Sequence, residues 1–397
     1  MGEAACSRKT LPTRNPAPSC PVPGSVAVYA HIPWCAAICP YCDFDKQATD
    51  FRLVDQYIEA VLAHTRAQPR RPSHSLYFGG GTPSLLTPAR LEHLIKAWRT
   101  RFSLAAEPEA TVASNPSDIV AHKVAAYLAA GVTRFSLGVQ SLDDDELRFL
   151  GRRHNADKAV RAVQAIREAG CDDLSVDLMY GLPDQSLDSV RRSLEGLLAL
   201  QPDHVSCYAL TLEEDTPMGA DVAAGRLELA QDDAIAEQYA KIQRMLGETG
   251  FEQYELSNWA RPGHESIHNL TYWRNGEWIG LGAGAAGSAA QRRYKRTPVV
   301  RDYIEAALAG DSAFVECETW TKASAMRDTV MLGLRLAEGI SDTEFESRFG
   351  RSLREYCSPR LNELVGAGVL RWESDRLSLA PTSYFVCNAV LAELLAP

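Results

Sequence analysis

Three cysteines crowd into the stretch from residue 35 to 42. Cys35, Cys39 and Cys42 form a C-x3-C-x2-C array inside Tyr29-Ala-His-Ile-Pro-Trp-Cys-Ala-Ala-Ile-Cys-Pro-Tyr-Cys42-Asp-Phe44, just after an apolar, strand-like run from Val26 to Ala30. Three thiolates in so short a loop can turn onto one face of a cube-shaped [4Fe–4S] cluster and leave its fourth iron open to chelate a small molecule. A structural zinc site wants four closed ligands in two knuckles, and no second C-x2-C or H-x3-H pair lies nearby. A disulfide would leave one of the three thiols unpaired. The spacing favours the cluster over both alternatives.

The surrounding sequence sets bounds. At 397 residues the chain has room for two or three domains, or for one barrel with an appendage. The net charge of −10 argues against nucleic acid as the main ligand, because phosphate binding relies on Lys and Arg. No run approaches the ~20 apolar residues of a membrane span. Residues 1–24 are rich in Pro, Ser and Thr and lack the apolar core of a secretory signal, so they read as a disordered arm. The other seven cysteines are scattered, which suits reduced, buried thiols in a cytoplasmic setting.

From Val26 to about Leu212, β-rich runs alternate with helical patterns. The strand candidates are Val26–His31, Ser75–Phe78, Ala110–Ser114, Arg134–Gly138, Asp173–Asp177 and His204–Leu210. The helices between them are Leu53–Gln68, Pro88–Phe102, Ser117–Ala130, Ala156–Ala169 and Leu187–Leu200. Such alternation predicts parallel strands with right-handed crossovers, an α/β fold built as an open or partial (β/α)6 barrel. Polar signatures fall at the strand ends: the cysteine loop, Gly79-Gly80-Gly81-Thr82-Pro83, Ser114-Asn115-Pro116, Gln140-Ser141 and Asp177. Barrel active sites are built there.

After the barrel come a helix at Asp232–Gly250, a dense motif at His268 and a glycine-rich run, Gly280 to Gly287. From Trp320 the pattern becomes helices (Lys322–Leu336, Thr343–Phe349, Leu353–Ala367), a short hairpin around Ser374-Asp375 and a last helix, Ser383–Leu395, which together predict a winged-helix-like domain. Residues 331–397 hold seven Arg, no Lys and nine acidic residues, the wrong balance for a DNA-reading wing. The expected domains are the arm (1–24), the barrel (25–215), its extension (216–319) and the C-terminal domain (320–397).

The cysteine array, the glycine turn and the partial barrel resemble the radical S-adenosylmethionine (radical SAM) superfamily. His31-Ile-Pro-Trp-Cys, Phe78-Gly-Gly-Gly-Thr-Pro-Ser84, Phe135-Ser-Leu-Gly-Val-Gln-Ser141, Leu150-Gly-Arg-Arg-His154, Ser175-Val-Asp-Leu-Met-Tyr-Gly-Leu-Pro183 and Tyr254-Glu-Leu-Ser-Asn258 narrow the resemblance to its oxygen-independent coproporphyrinogen III oxidase-like branch. The resemblance implies a [4Fe–4S] cluster on Cys35, Cys39 and Cys42, with SAM on its open iron. It implies SAM contacts at Tyr29, Tyr41, Gly80, Gly81, Thr82, Gln140, Arg152, Asp177, Ala209 and Ala286. By residue type alone, Arg152 reads as a solvated loop charge and Asp177 as a helix N-cap.

Two groups share this branch. The oxidases carry a fourth cysteine two positions after the third, where this chain has Phe44. The Cys-Asp-Phe ending and the string His268-Asn269-Leu-Thr-Tyr272-Trp273 resemble the heme chaperones of the branch, the HemW group. That resemblance implies heme as cargo, bound through His268, Asn269, Tyr272 and Trp273, with heme-accepting proteins, a membrane-associated one among them, an electron donor and a homodimer as partners. The bland reading of the string is a hydrogen-bonded His with Tyr272 and Trp273 as core aromatics. The chain departs from the branch twice: Ala113 stands where a Glu is usual, and Ala286 where a His is. Both departures favour binding over turnover. The competing expectations are coproporphyrinogen III decarboxylation and radical SAM chemistry on another substrate.

Overall fold

The computed structural model describes residues 24–358 and 360–396, so the expectation for residues 1–23 lies outside the described residues. Six parallel strands form the half-barrel: β1 (Val26–Ile32), β2 (Pro72–Gly80), β3 (Ser103–Ser114), β4 (Arg134–Gln140), β5 (Leu174–Tyr180) and β6 (His204–Ala209). Helices α1 (Val54–Ala67), α2 (Pro88–Arg101), α3 (Ala121–Ala130), α4 (Asp144–Phe149), α5 (Ala156–Glu168) and α6 (Leu187–Ala199) connect them. The starts are chemically marked. Thr87, Asn155 and Ser186 each accept a backbone N–H three residues on, and Pro88 occupies the first turn of α2, where it has no helical bond to lose. β1 is almost wholly buried, as a central parallel strand covered on both faces must be.

The sheet stays open rather than closing into a barrel. It continues at one edge with β7 (Glu252–Glu255) and β8 (Asn258–Ala260), and at the other with β9 (Trp278–Leu281), β10 (Ala286–Ala289), β11 (Arg292–Arg296) and β12 (Phe314–Thr319). The twelve strands run in the order β12-β11-β10-β9-β1-β2-β3-β4-β5-β6-β8-β7. Helices α7 (Pro217–Ala223), α8 (Asp232–Glu248), α9 (Ile267–Trp273) and α10 (Val300–Leu308) accompany this extension. The glycine-rich run ends β9, turns at residues 282–285 and opens β10. Its glycines are required by close approach: a Cβ on Gly280 would lie 1.9 Å from the Ala286 carbonyl oxygen, and one on Gly287 2.2 Å from the Tyr294 ring.

Past Lys322 the chain forms a helical region around a three-stranded sheet whose strands span Ile340–Ser341, Arg376–Leu379 and Leu370–Glu373 in that spatial order. The single helix expected over 353–367 is two, Leu353–Cys357 and Arg360–Gly366, and the last helix begins with a 3-10 turn at Pro381–Val386. Among the described residues, no helix is long and apolar enough to cross a membrane.

Candidate functional site

One cavity of about 740 Å³ opens at the carboxyl ends of the strands and runs down into the half-barrel. Its rim is the cysteine loop. A parallel bridge pairs Trp34-Cys35 with Gln47-Ala48, and the Gln47 N–H donates to the Pro33 carbonyl at 2.8 Å, folding residues 36–46 back over the barrel mouth. Cys35, Cys39 and Cys42 are all half-buried free thiols facing the cavity. Among the described residues, the three sulfurs do not gather within the mutual 4.8 Å of a single-ion site. That suits a cluster, whose irons sit at separate corners, better than one zinc ion. Burial raises the pKa of the Cys35 and Cys42 thiols.

Two polar side chains reach the sulfurs. Thr82 Oγ1 lies 3.5 Å from Cys35 Sγ, and Arg152 Nη1 lies 3.6 Å from Cys39 Sγ and 3.3 Å from the Tyr41 hydroxyl, while its Nη2 donates to the Gly138 carbonyl at 2.8 Å. Arg152 Nε is buried with no partner, so one face of the guanidinium is left for a ligand. Burial works against this charge, but Tyr41 and Cys39 outweigh it and raise the pKa. The expectation of a solvated loop charge does not fit this position. Tyr41 itself is pushed up to about 12, chiefly by burial.

The glycine turn at the end of β2 passes beneath the loop. The Gly81 and Thr82 N–H groups donate to the Ile32 and Trp34 carbonyls, both at 2.8 Å. Gly80 has φ of +99°, and a Cβ there would meet the His31 ring at 2.7 Å, so only glycine fits. His31 is held by the Tyr29 hydroxyl at 3.1 Å and the Asp45 carbonyl at 2.6 Å.

Lower down, the inward-facing residues are polar: Tyr77, Thr111, Arg134, Ser136, Ser175, Asp177, His204 and Ser206 all line the cavity, whereas barrel interiors are ordinarily filled with branched apolar side chains. Asp177 is a strand residue rather than a helix N-cap. Enclosure raises its pKa to about 6 against the bonds it receives from Ser206 and Ser136. Ala113 faces the same space, so the branch's usual Glu has no substitute at its own position.

The structure thus gathers eight of the expected SAM contacts, Tyr29, Tyr41, Gly80, Gly81, Thr82, Gln140, Arg152 and Asp177, around one cavity. Ala209 and Ala286 are not among its lining residues, and Ala286 is exposed in β10, its carbonyl accepting from Trp278 Nε1 at 3.1 Å.

The His268 string forms α9. Of its members only Asn269 lines the cavity. His268 is 1% exposed, with Nδ1 2.9 Å from the Ser75 hydroxyl and Nε2 2.7 Å from the Tyr272 hydroxyl, and burial lowers its pKa to about 3. Tyr272 packs edge-on against Trp278, and Trp273 lies under Arg335. Sequence reasoning passed over Glu109 and Thr111, which lie within β3, and Arg134, which opens β4, none of them with a local signature.

A half-barrel with a three-cysteine loop over a glycine turn defines a radical SAM protein, and the family model described as the radical SAM superfamily matches residues 29–197, with that of the HemN C-terminal domain matching residues 320–386. Within that class, the chain belongs to the HemW family. It is 33% identical over 369 residues to the heme chaperone HemW of Lactococcus lactis, covering 93% of this chain and 97% of that protein. It is 34% identical over 386 residues to the mitochondrial radical S-adenosyl methionine domain-containing protein 1 of Bos taurus, covering 95% and 82% of the two chains. The fold is also that of the coproporphyrinogen III oxidase HemN from Escherichia coli, with a TM-score of 0.81 at 20% identity over 94% of this chain and 90% of that one.

Proposed function

We propose that this protein is a heme chaperone: it binds heme and hands it to acceptor proteins, while carrying a [4Fe–4S] cluster and SAM. The observation that carries the reading is whole-length similarity to proteins named heme chaperone HemW. Phe44 at the position of the oxidase's fourth cysteine, and Ala113 at the usual glutamate, point the same way, toward holding ligands rather than turning them over.

In this reading Cys35, Cys39 and Cys42 hold the cluster, and the open iron takes SAM. The cluster supplies one-electron reduction of the SAM sulfonium when both are bound. Thr82 and Arg152 act as donors beside the thiolates, Arg152 meets the anionic end of SAM in a charge-assisted bond, and Asp177 accepts from ribose hydroxyls. An electron donor docks at the open rim. We take the functional divisions of the chain to be 25–215, 216–319 and 320–397, and its setting to be the cytoplasm, where its scattered thiols stay reduced.

The test is an anaerobic hemin titration of cluster-loaded protein followed by absorbance. Saturable binding of one heme per chain is expected, with no decarboxylation of coproporphyrinogen III when SAM and a low-potential reductant are added. Protoporphyrinogen formation without stoichiometric hemin binding would make the chain an oxidase instead.

A further inference from the structure

Residues 264–273 cross three barrel strands, β2, β3 and β4, at the end opposite the cysteine loop. Arg134 in β4 donates to the His264 carbonyl at 3.0 Å. Glu109 in β3 accepts from the Ile267 and His268 N–H groups at 2.9 and 3.0 Å. From β2, Ser75 holds His268 and His74 Nε2 meets Thr271 Oγ1 at 2.8 Å. The segment is the floor of the cavity.

An axial iron ligand must present a ring nitrogen. His268 presents neither, and its ring stacks behind Tyr77, 5.0 Å between centroids, with Tyr77 standing between it and the cavity. Asn269 is different: it lines the cavity, and its side-chain amide has no hydrogen-bond partner among the described residues. Facing the same space, Thr111 Oγ1 is fully buried and also unpartnered. A buried hydroxyl and a cavity-facing amide left without partners, in a floor whose other polar groups are largely bonded, mark where a ligand supplies the missing bonds.

The chemistry of that ligand follows from the neighbours. Two carboxylates, Glu109 and Asp173, are buried beside Arg134, an acidic surrounding that disfavours a further anion. The polar groups of heme are its propionates; those of the SAM nucleoside are uncharged. Tyr77 stands three residues before Gly80, about 10 Å along the strand at ~3.3 Å per residue, a span one extended ligand bridges. Resting on the SAM-binding reading above, we infer that the string serves SAM rather than heme: Asn269 and Thr111 hydrogen-bond its uncharged nucleoside, and His268 is the positioning residue that fixes Asn269 through Ser75 and Tyr272.

The test uses cluster-loaded, full-length protein titrated anaerobically with SAM and, separately, with hemin. Asn269→Leu and Thr111→Val are each expected to weaken SAM about tenfold, the loss of one buried hydrogen bond, and to leave hemin affinity within about twofold. His268→Ala is expected to weaken SAM similarly, with His268→Gln, which keeps a donor and an acceptor, restoring most of it. In both His268 variants the ferric-heme spectrum keeps the wild-type axial-ligand signature. Unchanged SAM affinity in Asn269→Leu overturns the inference. So does a heme signature lost in His268→Ala and restored by added imidazole. Failure of wild-type protein to bind SAM at all would defeat this inference and the SAM part of the proposed function together, whereas hemin binding would still stand on its own arm.

Discussion

The two ends of one cavity are built on opposite principles. At the rim, short-range covalent geometry dominates: three thiols within one loop, a glycine turn that no side chain can enter, and an aromatic ring, Phe44, left 62% exposed. At the floor, long-range bonds dominate. Ser75 and His268 are 193 residues apart, and Glu109 reaches the His268 N–H across 159, yet all are buried and bonded. The rim is thus suited to change its occupants, and the floor to hold still.

That contrast can be broken experimentally. The largest effect belongs to Cys42→Ala, which should abolish cluster assembly; iron content and visible absorption after anaerobic reconstitution report it, and a full cluster in the variant would contradict the rim assignment. Next comes Gly80→Ala. A left-handed φ and a 2.7 Å approach to the His31 ring should cost about 3 kcal/mol in denaturant unfolding. If the change costs nothing, the turn is not clamped.

For the floor, Glu109→Ala strands two buried helix N–H groups and should cost about 2 kcal/mol. Glu109→Gln, which keeps an acceptor, should recover part of that, and equal melting temperatures for the two variants would deny the carboxylate its anchoring role. Between the ends sits Asp177. Its pKa is raised to about 6, so the folded protein holds a proton that the unfolded chain, near 3.8, has lost. Stability from this group therefore falls as pH rises from about 4 through 6. Asp177→Asn should match wild type at pH 4 and exceed it by about 2 kcal/mol above pH 7, after discounting for water in the cavity. A stability difference independent of pH would remove Asp177 from the enclosed set. The smallest effect is Phe44→Ala. An exposed ring that contributes little to folding should leave stability within about 0.5 kcal/mol, and a larger loss would mean the rim is packed after all.

The sequence was most legible where local chemistry is strict. Alternating strand and helix patterns placed all six barrel strands, with carboxyl ends within three residues of those observed, because the helix-facing positions of each strand are apolar; the start of β3 was placed seven residues late. The cysteine loop and glycine turn were visible because their chemistry is strict. The β9–β12 extension was missed because its strands are short and glycines demanded by tight packing carry no strand pattern. The break near residue 358 was missed because the pattern on both sides stays helical. At the floor nothing local marked Glu109 or Thr111, and the string's four named residues could be picked out by type while which of them faces the cavity, Asn269 alone, could not. Contacts spanning more than a hundred residues leave no periodic trace in a single sequence.

The measurement closest to the central claim is heme transfer. Protein loaded with one equivalent of hemin would be mixed anaerobically with an apo-hemoprotein, and arrival of heme in the acceptor followed by absorbance. A heme chaperone delivers its cargo faster than passive release of hemin allows, with a rate that rises with acceptor concentration. A rate independent of acceptor, equal to passive release, would contradict the account.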